Sequence, residues 1–457
     1  MSEPKPAGPF DVLPLPGGGS APLYLIPYDE KGRCEGPGTL EHLISEARSG
    51  GYNHIYVFSH GWNNVFKDAV TLYRDFFTGY LDLWRQSDRS TANYKPLLVG
   101  ILWPSTALVS EVEATPNFAS VPPVDVRAEA LIADQLAIRD LASEIRDEDV
   151  ERFHQLASFA RSLTHEEALE LARILLPILG RPDSTGEEIP QKVTAEKLVS
   201  AWEKSEVPVK SISSRDAGQI GRPGTLPLDH VVSDTAQPAS AGILDILDPK
   251  NIIRMATVYQ MKDRAGTVGA KGVGALLRDL LASSKAKVHL IGHSYGAKVV
   301  LSALCSPTHS RNVASLLLLQ PAVNFLCFSA NVEGHPGGYR SALSRVDMPI
   351  FSTFSSQDAP LTKFFHLALR RDGDLGEQRI AAAPSQFSAL GGFGPAGMNA
   401  GESTTIEILA PPEKYKFENT RIRIYGLNGS NGEITGHGDI SNKFTEWALL
   451  NLVSDKE

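Results

Sequence analysis

A serine between two glycines, at residues 292–296, is the part of this sequence best suited to chemistry. The five residues read Gly-His-Ser-Tyr-Gly, with Ser294 at the centre, and they follow the apolar run 287–291 and precede a helix-like run. Gly292 and Gly296 have no Cβ, so a strand and a helix could approach closely around a tight turn. The helix would direct its N-terminus, with free N–H groups and a positive dipole, at the serine Oγ. This arrangement favours a nucleophile that forms and then holds an oxyanion.

The glycine-flanked pattern alone does not exclude an ordinary turn serine. A chain of 457 residues with 39 glycines can match it by chance. However, the pattern occurs once, it joins a β-like run to an amphipathic helix, and a candidate acid and base follow further along the chain. We therefore predict that Ser294 is a nucleophile.

Asp358 is the candidate acid. It follows the β-favouring run 349–354, whose end should lie at the same edge of a parallel sheet as Ser294. Its carboxylate could accept the Nδ1–H of a histidine, select the tautomer and stabilise the imidazolium. A turn aspartate before a proline is also common. Asp439 competes for the role, but it lies two residues from the candidate base, which is usually too close to orient it.

His437 is the candidate general base. It lies between two glycines on a loop that follows the strand-like run 421–425, and those glycines would let the loop carry an imidazole over the serine. A histidine on a surface loop would give the same pattern. His366 is the alternative base, but it falls in the apolar helical run 362–369, eight positions after Asp358. Packing in the core or in a lid explains His366 better.

A second turn, His-Gly-Trp followed by two asparagines, ends the apolar run 54–59. Together with the serine motif and the Ser-Asp-His order, it makes the chain resemble the α/β-hydrolase superfamily, in particular poorly characterised bacterial esterase-like and lipase-like members. The resemblance implies an oxyanion hole formed by the backbone N–H groups of Trp62 and Tyr295. His60 and Gly61 then support the motif, with His60 as a structural hydrogen-bonding residue. An ordinary strand-ending turn with a buried histidine would look the same.

Strand-like runs alternate with helical patterns along most of the chain, which predicts an α/β fold with a mainly parallel sheet and helices on both faces. The runs are 22–27, 54–59, 96–102, 287–291, 314–319, 349–354 and 421–425. The resemblance implies that this is the α/β-hydrolase fold. Glycines at 269–274 lack the spacing of a phosphate-binding loop and precede a strand, so we expect a helix packed closely on the sheet.

Residues 106–250 carry helical periodicity and loops but little strand signal. We therefore expect a helical cap inserted into a core made of residues 21–105 and 251–457, after a flexible leader at residues 1–20. The capping-box spacing of Thr-His-Glu-Glu at 164–167 marks one helix start in the insertion. A surface domain without a role in the reaction is the alternative interpretation of the insertion.

Composition narrows the classes of partner. A net charge of −9 argues against a nucleic-acid surface, which needs clustered Lys and Arg. Three scattered cysteines do not suggest a disulfide framework or a zinc site, and we expect no metal or cofactor. No signal peptide is readable, and the most apolar run, 316–319, is too short to span a bilayer, so we expect a cytoplasmic protein without a transmembrane segment.

These features predict a serine hydrolase that cleaves the acyl ester of a small-molecule or lipid-like substrate through an acyl-enzyme intermediate. Thioesterase, amidase and acyltransferase chemistry on the same three residues is not separable from the sequence. The alternative class is a non-catalytic module of α/β-hydrolase fold that binds a ligand or partner. The presence together of Ser294, Asp358 and His437 favours the enzyme, since a binding module would tolerate the loss of any one.

Overall fold

The structure is a computed structural model of the chain. It describes residues 7–15, 18–62, 66–87, 94–105, 135, 138–158, 162–179, 194–196, 198–199, 249–306, 309–332, 334–364, 388–417 and 419–453. His366, the two asparagines after Trp62 and most of the expected cap lie outside the described residues.

Nine strands of the described chain form one mostly parallel sheet, in the order β1-β2-β4-β3-β5-β6-β7-β9-β8. β1 runs antiparallel to β2, and the other neighbouring pairs are parallel. The strands are β1 Asp11–Pro14, β2 Ser20–Pro27, β3 His54–Ser59, β4 Pro96–Leu102, β5 Lys287–His293, β6 Ser315–Leu319, β7 Ile350–Phe354, β8 Ser403–Glu407 and β9 Ile424–Asn428. In parallel strands the carboxyl ends meet at one edge, so β3, β5, β6, β7 and β9 present their following loops together.

The helices are α1 Pro37–Ser49, α2 Phe66–Gln86, α3 Val150–Leu156, α4 His165–Leu179, α5 Pro249–Thr267, α6 Gly274–Ser283, α7 Tyr295–Cys305, α8 Leu390–Phe393 and α9 Lys443–Val453. Short π-helical turns occupy Val268–Val273 and Pro360–Phe364, and short 3₁₀ turns occupy Asp147–Asp149 and Arg340–Ser344. Among the described residues, no helix is both long enough and apolar enough to cross a membrane.

Alternate residues of the central strands enter two separate apolar cores, because successive side chains of a strand point to opposite faces. In β3, Ile55 and Val57 join a core with α1, α4, α5, α6 and α7, whereas Tyr56 and Phe58 join a core with α2 and α9. Helices therefore cover both faces of the sheet, as the sequence predicts.

The seven strand-like runs all lie in the sheet, although the last strand begins at Ile424, three residues later than predicted. Two strands were not predicted. β1 lies within residues 1–20, where we expected a flexible leader, and it pairs with β2 through residues 11–14. β8 is a polar edge strand with alternating half-buried and exposed residues, so it lacks the continuous apolar run of a central strand.

Described parts of the insertion pack on the core through α5. Arg264 on α5 bonds to Asp140 and Glu144, and Gln260 donates to the Glu144 carboxylate at 2.6 Å. The predicted capping box is present at α4, where the Thr164 Oγ1 accepts from Glu167 N at 3.3 Å and the Glu167 carboxylate accepts from Thr164 N at 3.0 Å. That the insertion caps a binding site stays a prediction.

The glycine-rich segment 269–274 is helical, as expected, but it packs on α7 rather than directly on the sheet. A Cβ at Gly269 would overlap the carbonyl oxygen of Val299 on α7. A Cβ at Gly272 would come within 2.7 Å of the Tyr28 ring. Gly269 therefore lets α7 lie close to the turn between α5 and α6, and Gly272 lets Tyr28, which directly follows β2, pack on the same turn.

Candidate active site

Ser294 occupies the sharp turn between β5 and α7. Its φ of 54° and ψ of −124° are unusual for a residue with a side chain. Such strain persists only where the surroundings hold the backbone in place. Here Ser294 N donates to Leu319 O and Ala322 N donates to Ser294 O, both at 3.1 Å, so the end of β6 fixes the turn from both sides.

Glycines around the turn permit the close approach that the sequence predicted. A Cβ at Gly292 would lie 2.6 Å from the Ala297 Cα, and a Cβ at Gly296 would overlap the carbonyl oxygens at the end of β3. A Cβ at Gly61 would lie 2.6 Å from the Cβ of Ser294. The loop after β3 therefore packs directly against the serine.

Ser294, His437 and Asp358 form one hydrogen-bonded chain. The Ser294 Oγ lies 2.8 Å from His437 Nε2, and His437 Nδ1 lies 2.7 Å from Asp358 Oδ2. The serine and the aspartate are buried, whereas 13% of the histidine side chain is exposed. These three residues are separated by up to 143 positions in the chain, and they meet where β5, β7 and β9 end.

The surroundings of Asp358 determine which imidazole nitrogen carries the proton. Asp358 Oδ1 accepts from Leu361 N at 3.0 Å, which orients the carboxylate and leaves Oδ2 for His437. Because a carboxylate only accepts, His437 Nδ1 donates and Nε2 is left to accept from the Ser294 hydroxyl. This is the tautomer that a general base requires.

Asp439, the competing acid, forms hydrogen bonds within the loop that carries His437. Its Oδ2 accepts from both the backbone N and the Oγ1 of Thr435 at 2.9 Å. Its backbone N donates to Gly436 O at 3.2 Å. The carboxylate is thus engaged in shaping the turn that carries His437, and Asp358 is the acid in contact with the imidazole.

His60 is a buried structural residue. Its ring stacks on Trp103 with 5.6 Å between centroids, its Nδ1 donates to Gly61 O at 2.8 Å, and Trp103 Nε1 donates to His60 O at 3.1 Å. Burial lowers the pKa of His60 to about 4, so the ring is neutral near pH 7. These contacts join the ends of β3 and β4 beside the site, and a supporting role of His60 in catalysis stays a prediction.

Trp62 and Tyr295 both lie next to Ser294. Trp62 follows Gly61, which packs on the serine, and Tyr295 is the first residue of α7. The two rings meet edge to face, with 6.3 Å between centroids. An oxyanion hole formed by their N–H groups stays a prediction.

Two residues that contact the site were not predicted. His293 Nε2 donates to His437 O at 2.9 Å, and Gln320 Nε2 donates to Gly436 O at 2.6 Å. Burial and the nearby imidazole of His437 lower the pKa of His293 to about 3, so this ring stays neutral. The only signal in the sequence is position: His293 lies inside the serine motif, and Gln320 is a polar residue that directly ends a run of leucines.

Comparisons of the chain with family models, with curated proteins and with solved structures found no match.

Proposed function

We propose that this protein is a serine hydrolase of the α/β-hydrolase fold that cleaves carboxylic esters through an acyl-enzyme intermediate. The observation that carries the proposal is the hydrogen-bonded chain from Ser294 Oγ through His437 to Asp358, with contacts of 2.8 and 2.7 Å. Nucleophile, base and orienting acid within hydrogen-bond reach of one another are the geometric signature of this chemistry.

In the first half of the reaction, His437 Nε2 takes the Ser294 proton as Oγ attacks the ester carbonyl carbon. The tetrahedral intermediate then collapses, the bond to the alcohol oxygen breaks, and His437 returns the proton to the leaving alcohol. In the second half, His437 takes a proton from water as the water oxygen attacks the acyl carbon. The bond from that carbon to Ser294 Oγ then breaks, and His437 returns the proton to Oγ, which releases the acid and restores Ser294. Asp358 stabilises the imidazolium that forms transiently in each half.

The carbonyl oxygen of the substrate becomes negatively charged in the tetrahedral intermediate, and hydrogen-bond donors near the start of α7 are required to stabilise it. A helix N-terminus carries a partial positive charge, and Tyr295 is the first residue of α7. We assign the two donors to the N–H groups of Tyr295 and Trp62, the residues that flank the serine from α7 and from the loop after β3. Removal of one such donor typically costs about 100-fold or more in turnover.

The α/β-hydrolase assignment is supported by three features of the described chain. The serine lies on a strained strand-to-helix turn at the end of β5, the loop after β3 packs against it, and Ser, Asp and His follow one another in that order. The proposed substrate class is an acyl ester, small or lipid-like, with residues 106–250 as the cap that shapes its entry.

The test is covalent labelling with a fluorophosphonate, which reacts with activated serines. Wild type should be labelled at Ser294, as mapped by peptide mass spectrometry, and should hydrolyse p-nitrophenyl esters. Ser294→Ala should lose both. Ser302→Ala is a matched control, because Ser302 is a buried serine on the same helix whose Oγ pairs with the Tyr339 hydroxyl instead. Equal labelling of wild type and Ser294→Ala would exclude Ser294 as the nucleophile.

A further inference from the structure

Two consecutive carbonyl groups of the loop that carries His437 are held by side chains from other strands. Gly436 O accepts from Gln320 Nε2 at 2.6 Å, and His437 O accepts from His293 Nε2 at 2.9 Å. Gln320 directly follows β6, and His293 is the last residue of β5. The peptide units before and after the His437 Cα are thus each tied to the central sheet.

Gln320 also contacts the acid. Its Nε2 lies 3.4 Å from Asp358 Oδ2, the same oxygen that accepts from His437 Nδ1 at 2.7 Å. One amide group, with two N–H bonds to give, therefore bridges the acid and the base loop. The Gln320 side chain is fully buried, and its Oε1 has no hydrogen-bond partner among the described residues.

The backbone of Gln320 is strained at the position from which its side chain contacts the site. Its φ is +42°, although it is not a glycine, and its N donates to Thr353 Oγ1 on β7 at 2.9 Å. A Cβ at Gly391 would overlap the carbonyl carbon of Gln320, so α8 packs directly on the turn. Backbone strain of this kind is retained where the surrounding structure over-determines it, and it is concentrated at functional sites.

We propose that Gln320 and His293 are positioning residues that hold the His437 loop in register with Ser294 and Asp358. The inference rests on the proposed hydrolase function. Both residues act on the imidazole through its backbone, and Gln320 acts on it through Asp358 as well. Their loss would let the imidazole drift from the serine, and a misplacement of about 1 Å can cost about 100-fold in rate.

The charges around His437 make this role measurable by titration. Asp358 faces the imidazole from the loop after β7, neutral His293 faces it from β5 with His60 behind, and Asp439 lies on the same loop. Gln320→Glu replaces a donor with a carboxylate beside Asp358 Oδ2. Added negative charge favours the imidazolium, so the titration midpoint of His437 should move to higher pH.

The experiment compares Gln320→Glu and Gln320→Gly with Gln357→Glu. Glycine suits the positive φ, so Gln320→Gly removes the side chain without requiring a strained backbone. Gln357 is a matched control because it directly precedes Asp358, yet it is exposed and donates to a different loop carbonyl, Ser430 O, at 2.7 Å. The control for His293→Phe is His309→Phe. His309 also donates from Nε2 to a backbone carbonyl, that of Ala303 at a distance of 2.9 Å, but it lies away from the site.

We expect kcat for p-nitrophenyl acetate to fall about 100-fold in both Gln320 variants and in His293→Phe, with little change in KM. The controls should keep wild-type kcat. The His437 titration, followed by NMR of the imidazole, should shift upward in Gln320→Glu and stay in place in Gln357→Glu.

The outcomes separate this inference from the proposed function. An active wild type whose Gln320 variants match the Gln357→Glu control in kcat and in imidazole titration would overturn the positioning role. A wild type that is neither labelled nor hydrolytic would overturn the proposed function instead, while the NMR titration, which needs no substrate, still decides whether Gln320 acts on His437. If Gln320→Glu does not fold, Gln320→Gly carries the test.

Discussion

At the scale of single residues, backbone strain and chemistry coincide. Among the described residues, Ser294 and Gln320 are the non-glycine residues with positive φ. They directly follow neighbouring strands, β5 and β6, and Ser294 contacts His437 whereas Gln320 contacts Asp358. Backbone strain of this kind is concentrated at functional sites, so these two positions agree with the proposed active site.

The assignment of the acid makes a prediction at this scale. Asp358→Asn should lower kcat about 10³-fold or more, because an amide at this position no longer selects the His437 tautomer. His437→Asn should cost at least as much. Asp439→Asn is the comparison, since Asp439 contacts Thr435 rather than the imidazole and should have the smaller effect on kcat. Steady-state kinetics with a p-nitrophenyl ester measures kcat for all three variants. A larger loss of kcat in Asp439→Asn than in Asp358→Asn would reassign the acid to Asp439.

The rate should also depend on pH in a defined direction. Only a neutral imidazole accepts the Ser294 proton, so kcat/KM should fall as acidification protonates His437. The measurement is the pH profile of ester hydrolysis, with circular dichroism at each pH to show that the protein is folded. A constant rate between pH 5 and 8 would contradict a histidine base.

At the scale of elements, α7 is positioned by close backbone packing. The π-helical turn Val268–Val273 lies against it because Gly269 has no side chain, and α7 in turn places its first residue next to Ser294. π-Helical turns within α-helices are often found at functional sites. Here the turn lies behind the helix that begins directly after Ser294.

Gly269→Ala should therefore be destabilising. The new methyl group would overlap Val299 O, and overpacking of this kind typically costs about 1–3 kcal/mol. Gly38→Ala is the control, since Gly38 lies in α1 with no atom closer than 3.7 Å to the added Cβ, and alanine there should be neutral or stabilising. Urea denaturation measures both free energies of unfolding. Equal stabilities for the two variants would show that the α7 contact is not tight.

A second prediction at this scale concerns Glu446, which lies on α9 and faces α2. Its carboxylate covers Gly79, and burial, with Asp82 nearby, raises its pKa from 4.5 to about 7. A raised carboxyl pKa means that the folded state holds the proton more tightly, so this contribution is full below pH 4.5 and is lost as pH rises to 7. The effect is up to about 3 kcal/mol.

Glu446→Gln should flatten the loss of stability between pH 4.5 and 7, and it should leave the protein more stable than wild type at pH 8. Chemical denaturation at four or five pH values in this window gives the curve. Glu413→Gln, at an exposed position, serves as the control. A wild-type slope retained in Glu446→Gln would assign the pH dependence to other groups.

At the scale of the whole molecule, buried neutral histidines make the free energy of unfolding depend on pH. Burial lowers the pKa of His60 to about 4 and of His293 to about 3, and it lowers that of His289 well below the ordinary value. A depressed histidine pKa means that the unfolded state takes up protons first on acidification. The associated stability is complete above about pH 6.5 and is lost as pH falls below it.

The protein should therefore be less stable at pH 5 than at pH 7. His60 and His293 each contribute about 2 kcal/mol over this interval, His289 acts in the same direction, and the opposite dependence of Glu446 partly offsets them. Urea midpoints at the two pH values test this, and His289→Gln should reduce the difference because its ring no longer has to be kept neutral. Identical midpoints in wild type would contradict the prediction.

The sequence by itself determined the local features of this protein. Apolar runs predicted seven strands of a mostly parallel α/β sheet, and the glycines of residues 292–296 predicted the strand-to-helix turn, because burial on both faces and missing Cβ atoms are properties of short segments. The order of Ser294, Asp358 and His437 identified the candidate reacting groups. β1 and β8 were not predicted, because short or polar edge strands lack a continuous apolar run.

Only the tertiary structure decided which groups touch. The sequence left Asp358 and Asp439 in competition, and the structure brings the imidazole to Asp358 while Asp439 closes its own turn. It also brings Gln320 to Gly436 across 116 positions and His293 to the carbonyl of His437 across 144. Such contacts follow from strand order and from the backbone twist at the end of β6. No local pattern encodes them, because a hydrogen bond depends on distance in space and not on separation along the chain.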